Sequence, residues 1–202
     1  STLFPYTTLF RSGRTGKMFA CEYADITPDI MCLSKGITAG YLPLSLVVTT
    51  HEVFSAFYGD YVELKAFLHS HSYTGNALAC AAGRESLSIF RDENVLAQNE
   101  IKARSLFEKV TRLFADHPHV GEYRQIGMTG ALELVADRRT KEPFDWQKRV
   151  GYGIYRIALT RGVLLRPLGN VIYFMPPYIV SEEDIGFMVK AAFESINQYF
   201  NL

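Results

Sequence analysis

Lys35 ends the run Pro28-Asp29-Ile30-Met31-Cys32-Leu33-Ser34-Lys35-Gly36, placing an amine just beyond a short apolar segment. Ile30 to Leu33 is continuously apolar, the pattern of a strand buried on both faces. An ammonium delivered to such a strand end loses hydration, which favours the neutral, nucleophilic amine. Ser72 and Thr74 precede Gly75 and a predicted helix start. There, hydroxyls and backbone N–H groups meet the positive end of the helix dipole and suit an anion, although the same residue types also serve as plain caps. Arg166, in Leu165-Arg166-Pro167-Leu168-Gly169, stands at a turn between two predicted strands. A guanidinium held there can pair with a carboxylate in fixed, bidentate geometry, or can be an ordinary surface cation of a hairpin.

Other patterns lead nowhere. Gly13-Arg14-Thr15-Gly16-Lys17 lacks the upstream glycine of a phosphate loop, and Met18 follows its lysine where Ser or Thr is required. His69 and His71 alternate but have no neighbouring thiol or carboxylate to complete a metal set. With 21 basic and 21 acidic residues the formal charge is zero, so bulk attraction to nucleic acid or an anionic membrane is not expected. No apolar stretch reaches the ~18 residues of a membrane span, and no signal peptide is expected. Three cysteines, Cys21, Cys32 and Cys80, form no close-spaced pair and read as reduced thiols in a cytoplasmic protein.

The elements that must position these residues follow from periodicity and punctuation. Strands are predicted over 28–34 and 44–50, with a glycine-bearing loop between them and a short helix over 51–58. After a polar, histidine-bearing loop from Leu68 to Gly75, a helix runs from Asn76 to about Arg91, its alanines at 77, 79, 81 and 82 permitting close packing on a sheet. Apolar residues at three- and four-residue spacing predict a long amphipathic helix over 95–114, ended by Asp116-His117-Pro118. Paired strands are expected across 123–135 around Gly127 and Gly130. A helical stripe through Trp146, Val150, Ile154, Ile157 and Ala158 stops at Gly162. Short strands at 163–166 and 171–175 precede a last helix, whose start is marked by Ser181 and Asp184 as a capping box. Thr2-Leu3-Phe4-Pro5-Tyr6-Thr7-Thr8-Leu9-Phe10-Arg11-Ser12 reads as the in-frame translation of a sequencing-adapter oligonucleotide, so residues 1–12 are set aside from fold reasoning.

Taken in order, Gly13 to Glu22, Pro28 to Gly36, His71 to Cys80 and Arg166 to Pro177 carry a resemblance to class III aminotransferases. These are pyridoxal 5'-phosphate (PLP) enzymes of the α/β fold-type I architecture. The resemblance implies that residues 13–93 are the C-terminal part of the PLP-binding large domain. Residues 94–202 would form a small α+β C-terminal domain beginning with the long helix. It also implies transfer of an amino group from a small-molecule donor to a keto acid acceptor. The Arg166 to Pro177 tail narrows it to the branch that aminates 8-amino-7-oxononanoate in biotin biosynthesis, with S-adenosylmethionine or lysine as donor. Another ω-amino acid or diamine aminotransferase, or a non-catalytic protein keeping the fold, are the alternatives.

Residue by residue, Lys35 resembles the catalytic lysine that bonds the cofactor aldehyde and moves the substrate proton. Ser72 stands where a Ser or Thr binds the phosphate of the neighbouring subunit's cofactor, which implies a homodimer with shared active sites. Arg166 resembles the arginine that pairs with the substrate carboxylate. Arg14 resembles a substrate-side arginine, and Tyr173 occupies a position near the substrate. The family has an aspartate where this sequence has Tyr6, and its glycine–serine phosphate loop lies further N-terminal. The chain is therefore expected to be inactive as it stands, to fold poorly and to expose apolar surface.

Overall fold

The computed structural model describes residues 13–202, so Tyr6 and the adapter-like segment lie outside the described residues. The described residues sort into two units: Gly13 with Lys17–Leu96, and Arg14–Gly16 with Ala97–Leu202.

In the first unit β1 (Ile30–Leu33) pairs antiparallel with β2 (Leu46–Thr49), Leu33 facing Leu46 and Ile30 facing Thr49. A short helix α1 (His51–Ser55) follows, with the Thr50 hydroxyl accepting from the Val53 N–H at 3.4 Å. Helix α2 (Ala77–Asp92) is capped by Asn76, whose side chain accepts from the Ala79 N–H at 3.0 Å. The strand expected to be buried on both faces is not. Of its four residues only Leu33 is buried, and Ile30 is 53% exposed. Its run of apolar residues calls for cover on two sides, yet the only strand paired with it among the described residues is β2. Of the alanines expected to pack, Ala79 does so, whereas Ala77 and Ala81 face solvent. The buried face of α2 is Ala79, Gly83 and Ser86, a stripe at helical spacing that packs on the turn after β1.

The second unit has a complete core. Helix α3 (Val95–Phe114) buries Ala103, Leu106, Val110 and Phe114. The sheet that follows comprises β3 (Val120–Ile126), β4 (Thr129–Asp137), β5 (Glu142–Pro143), β6 (Arg166–Leu168) and β7 (Val171–Phe174). Its strands run in the order β3-β4-β7-β6, all antiparallel, with β5 on β4. Helix α4 (Val150–Thr160) lies between β5 and β6 in the chain, and α5 (Glu182–Phe200) closes it. Alternation along each strand separates two faces. Leu132, Leu134, Ile172 and Phe174 point into a core completed by Leu106, Ile154, Ile185 and Ile196, while Ala131, Glu133 and Tyr173 take the other face.

Ser181 and Asp184 form the expected capping box, Ser181 Oγ accepting from the Asp184 N–H at 3.0 Å. Two expectations need correction. Trp146 is outside the helical stripe, in a single 3-10 turn (Trp146–Lys148), and is 77% exposed. The strand expected at 163–166 lies at Arg166–Leu168, because the buried Val163 and Leu165 belong to the loop that enters it.

Candidate active-site residues

Lys35 follows β1 by two residues and opens a 3-10 turn (Lys35–Thr38) in the left-handed region, at φ 55°. Such a conformation costs a non-glycine residue about 1–2 kcal/mol, so the surrounding contacts must enforce it. They do so from α2. The Ser86 hydroxyl donates to the Gly36 carbonyl at 3.3 Å. The missing side chain of Gly83 lets the helix approach, since a Cβ there would lie 3.3 Å from Leu44 Cδ2 and 3.5 Å from the Ile37 carbonyl. Inside the turn, Thr38 Oγ1 donates to the Leu42 carbonyl at 2.5 Å and Ile37 is buried. The backbone that carries Lys35 is thus held, while its side chain stands exposed with no partner among the described residues. The desolvation expected of a doubly buried strand end is accordingly not supplied by the described residues.

Ser72 lies in an exposed turn in which the Thr74 N–H donates to the His71 carbonyl at 2.9 Å. Thr74 Oγ1 accepts from the His71 N–H at 3.1 Å, and His71 Nδ1 accepts from the Tyr73 N–H at 3.2 Å. Neither Ser72 nor Thr74 caps α2, a role taken by Asn76. The Ser72 hydroxyl is left uncommitted among the described residues. No hydrogen bond or ion pair joins Lys35 to Ser72 among the described residues.

In the second unit, Arg166 and Tyr173 are direct partners across β6 and β7. Their side chains share the sheet face opposite the core, and neither has a hydrogen-bond or ionic partner among the described residues. An exposed guanidinium beside an aromatic ring on an open sheet face is equipped to take a carboxylate on an apolar stem. On the same face Glu122 and Glu133 stand directly opposite each other. Arg124 Nη1 bridges them, at 3.3 Å from Glu122 and 2.5 Å from Glu133.

Arg14 differs from the other four. Its guanidinium donates to the Pro176 carbonyl and sits 4.5 Å above the Tyr178 ring, so it is engaged within the protein. Sequence reasoning missed Gly83 and Ser86 beneath the Lys35 turn, and Pro176 and Tyr178 around Arg14. The small-residue stripe Ala79, Gly83, Ser86 was the available signal for the first pair; nothing local marked the second.

Lys35 and Ser72 offer an uncommitted amine and hydroxyl, the groups that an aldehyde and a phosphate require. Each residue, taken by itself, therefore has the chemistry for one end of a pyridoxal phosphate.

Comparison with known proteins identifies the family. The family model for class-III aminotransferases matches residues 9–198. The chain is 51% identical over 185 residues to the adenosylmethionine-8-amino-7-oxononanoate aminotransferase of Geobacter sulfurreducens, covering 92% of this chain and 41% of that protein. Against the enzyme of that name from Anoxybacillus flavithermus it is 47% identical, covering 91% and 40%. The chain thus spans about two fifths of the length of the relatives it matches. The crystal structure of the Methanocaldococcus jannaschii enzyme of that name superposes with a TM-score of 0.85 at 39% identity, over 92% of this chain and 43% of that one. The α/β fold is that of the fold-type I transaminases, and the chain belongs to the class-III aminotransferase family.

Proposed function

We propose that this chain is part of an adenosylmethionine-8-amino-7-oxononanoate aminotransferase, a PLP-dependent enzyme of biotin biosynthesis that aminates 8-amino-7-oxononanoate to 7,8-diaminononanoate. The observation that carries the reading is 51% identity, across nearly the whole chain, to a relative of that name. Bound PLP supplies an electron sink for the carbanion formed when the substrate proton leaves. With PLP bound, Lys35 would hold the aldehyde end of the cofactor, and its amine, when free, would act as the general base and acid for the substrate proton. Its backbone, fixed by Ser86 and the close approach at Gly83, keeps that amine on one trajectory. Ser72 donates its hydroxyl to a phosphate oxygen. Arg166 holds the substrate carboxylate, with Tyr173 against the apolar chain.

Ser72 sits in a stretch whose large apolar side chains are bare, with Tyr61 92% and Leu68 93% exposed. In this reading the protein is a homodimer with shared active sites, in which Ser72 serves the neighbouring subunit's cofactor. The three free cysteines suit a cytoplasmic, reducing setting. Among the described residues no helix is long and apolar enough to cross a membrane.

The test is borohydride reduction of a full-length protein carrying this chain, in the presence of pyridoxal phosphate, followed by peptide mass mapping. The expected adduct is on Lys35. An adduct confined to Lys17 or Lys65 removes Lys35 from the reaction.

A further inference from the structure

We infer that Arg14 is a positioning residue: it ties together the ends of β4 and β7 and so fixes Arg166 and Tyr173, without itself touching the substrate. The inference rests on the reading above, in which Arg166 holds the substrate carboxylate.

Gly130 pairs with Phe174 in the β4–β7 register, so continuing that register by two residues brings Met128 opposite Pro176. Arg14 bridges these two points. Its carbonyl accepts from the Met128 N–H at 3.0 Å, and its guanidinium donates to the Pro176 carbonyl over the Tyr178 ring. The backbone is seated by Gly127, at φ 51°, where a Cβ would stand 2.3 Å from the Thr15 carbonyl carbon. No side chain fits between the two backbones. The turn is anchored in its own right: Gln125 Nε2 donates to the Ala103 carbonyl of α3 at 2.6 Å and to the Gly127 carbonyl at 2.9 Å.

Position on β7 passes to Arg166 through the sheet. β6 is a three-residue edge strand whose only strand partner among the described residues is β7. Tyr173 lies three residues before Pro176 and directly opposite Arg166. Whatever fixes the exit of β7 fixes the pair. The engaged guanidinium of Arg14 and the uncommitted guanidinium of Arg166 thus have different tasks, although both are arginines on the second unit.

The experiment has two arms. In a full-length enzyme carrying this chain, Arg14→Ala and Tyr178→Leu should each raise KM for 8-amino-7-oxononanoate about tenfold, with kcat changed less than twofold. Arg14→Lys, which keeps a cation for the Pro176 carbonyl and the Tyr178 ring, should recover most of the loss. In an Arg166→Ala background, adding Arg14→Ala should change KM less than twofold, because a residue acting through Arg166 has nothing left to position. Effects that multiply in the double variant mean that Arg14 touches the substrate and overturn the inference. So does a fall in kcat at constant KM.

The second arm measures amide hydrogen exchange in the same full-length enzyme. Arg14→Ala should speed exchange at Val171 to Phe174 about tenfold while leaving α3 unchanged. Unchanged exchange there sinks the positioning role by itself. An unchanged KM in the single Arg166→Ala variant sinks the carboxylate assignment instead, which separates the two failures.

Discussion

Gly83 is where α2 meets the turn that carries Lys35, and two substitutions there should have opposite signs. For Gly83→Ala, the new Cβ would sit 3.3 Å from Leu44 Cδ2, the tip of a flexible side chain, and at an ordinary 3.5 Å from the Ile37 carbonyl. Leu44 can yield by a few tenths of an ångström. Against that small strain stands the gain of replacing a helix-interior glycine by alanine, ~0.5–1 kcal/mol. The net change should be neutral to stabilising. Gly83→Leu drives further atoms toward the Ile37 carbonyl, which cannot move without disturbing the turn. Overpacking of this kind costs about 1–3 kcal/mol. The assay is hydrogen exchange of the peptides spanning 33–42 and 77–92. Leucine should accelerate exchange roughly 5- to 150-fold, the factor equivalent to that cost, and alanine should slow it or leave it alone. If alanine loosens the turn as much as leucine does, the approach is tighter than stated and the backbone, not Leu44, is the limit. If leucine is accommodated silently, α2 does not hold Lys35 at all.

Three further outcomes follow from the second unit. His117 is buried; its Nδ1 accepts from the His119 N–H at 3.1 Å, and its Nε2 therefore donates to Asn197 Oδ1 at 3.0 Å. Burial, opposed by the Asn197 hydrogen bond and reinforced by His119 and Arg138, holds its pKa below the ordinary histidine value. The stability it contributes is whole above the unfolded value of ~6.5 and is lost as pH falls toward the folded one; His117→Gln should flatten that part of a denaturation-versus-pH curve, and an unchanged slope would refute it. Removing the bridge with Arg124→Met leaves Glu122 facing Glu133, so the variant should be destabilised at low salt and recover in 1 M salt, in which the Debye length is ~3 Å; a salt-independent loss would mean that packing is responsible. Asn99 is buried, and neither of its side-chain amide atoms has a hydrogen-bond partner among the described residues. Asn99→Leu should raise stability to urea by ~1–3 kcal/mol, and a loss would show that the amide is paired.

Legibility in the sequence followed the range of the interaction. α3 was readable to the residue, 95–114, because its apolar spacing and the break at Pro118 are local. The start of α5 was equally legible, since Ser181 and Asp184 bond within one turn. β6 was misplaced because Val163 and Leu165 are as apolar as a strand yet are buried in a loop; only pairing with β7 distinguishes the two. The apolar run of β1 stated what its faces require and could not state whether neighbouring residues supply it. Lys35, Ser72 and Arg166 stood out by motif, but the opposition of Arg166 and Tyr173 is a matter of register. The engagement of Arg14 depends on residues about 110 to 160 positions away in the chain.

β7 shows how one short strand serves both structure and chemistry. Ile172 and Phe174 are buried in the core, while Tyr173 between them faces outward beside Arg166. Two-residue alternation makes this division unavoidable: the side chains that anchor the strand flank the one that it presents. Precision at Tyr173 is then inherited from packing beneath it, since a buried phenylalanine cannot shift without opening a cavity worth several kcal/mol, ~3–5 on full truncation. Packing fixes the strand perpendicular to the sheet but resists sliding along it less well. Pairing with β4 limits sliding from one side only, as β6 is too short to do so from the other. A guanidinium fastened to the carbonyl just past the strand's exit acts along the missing direction, and that is where Arg14 is bound.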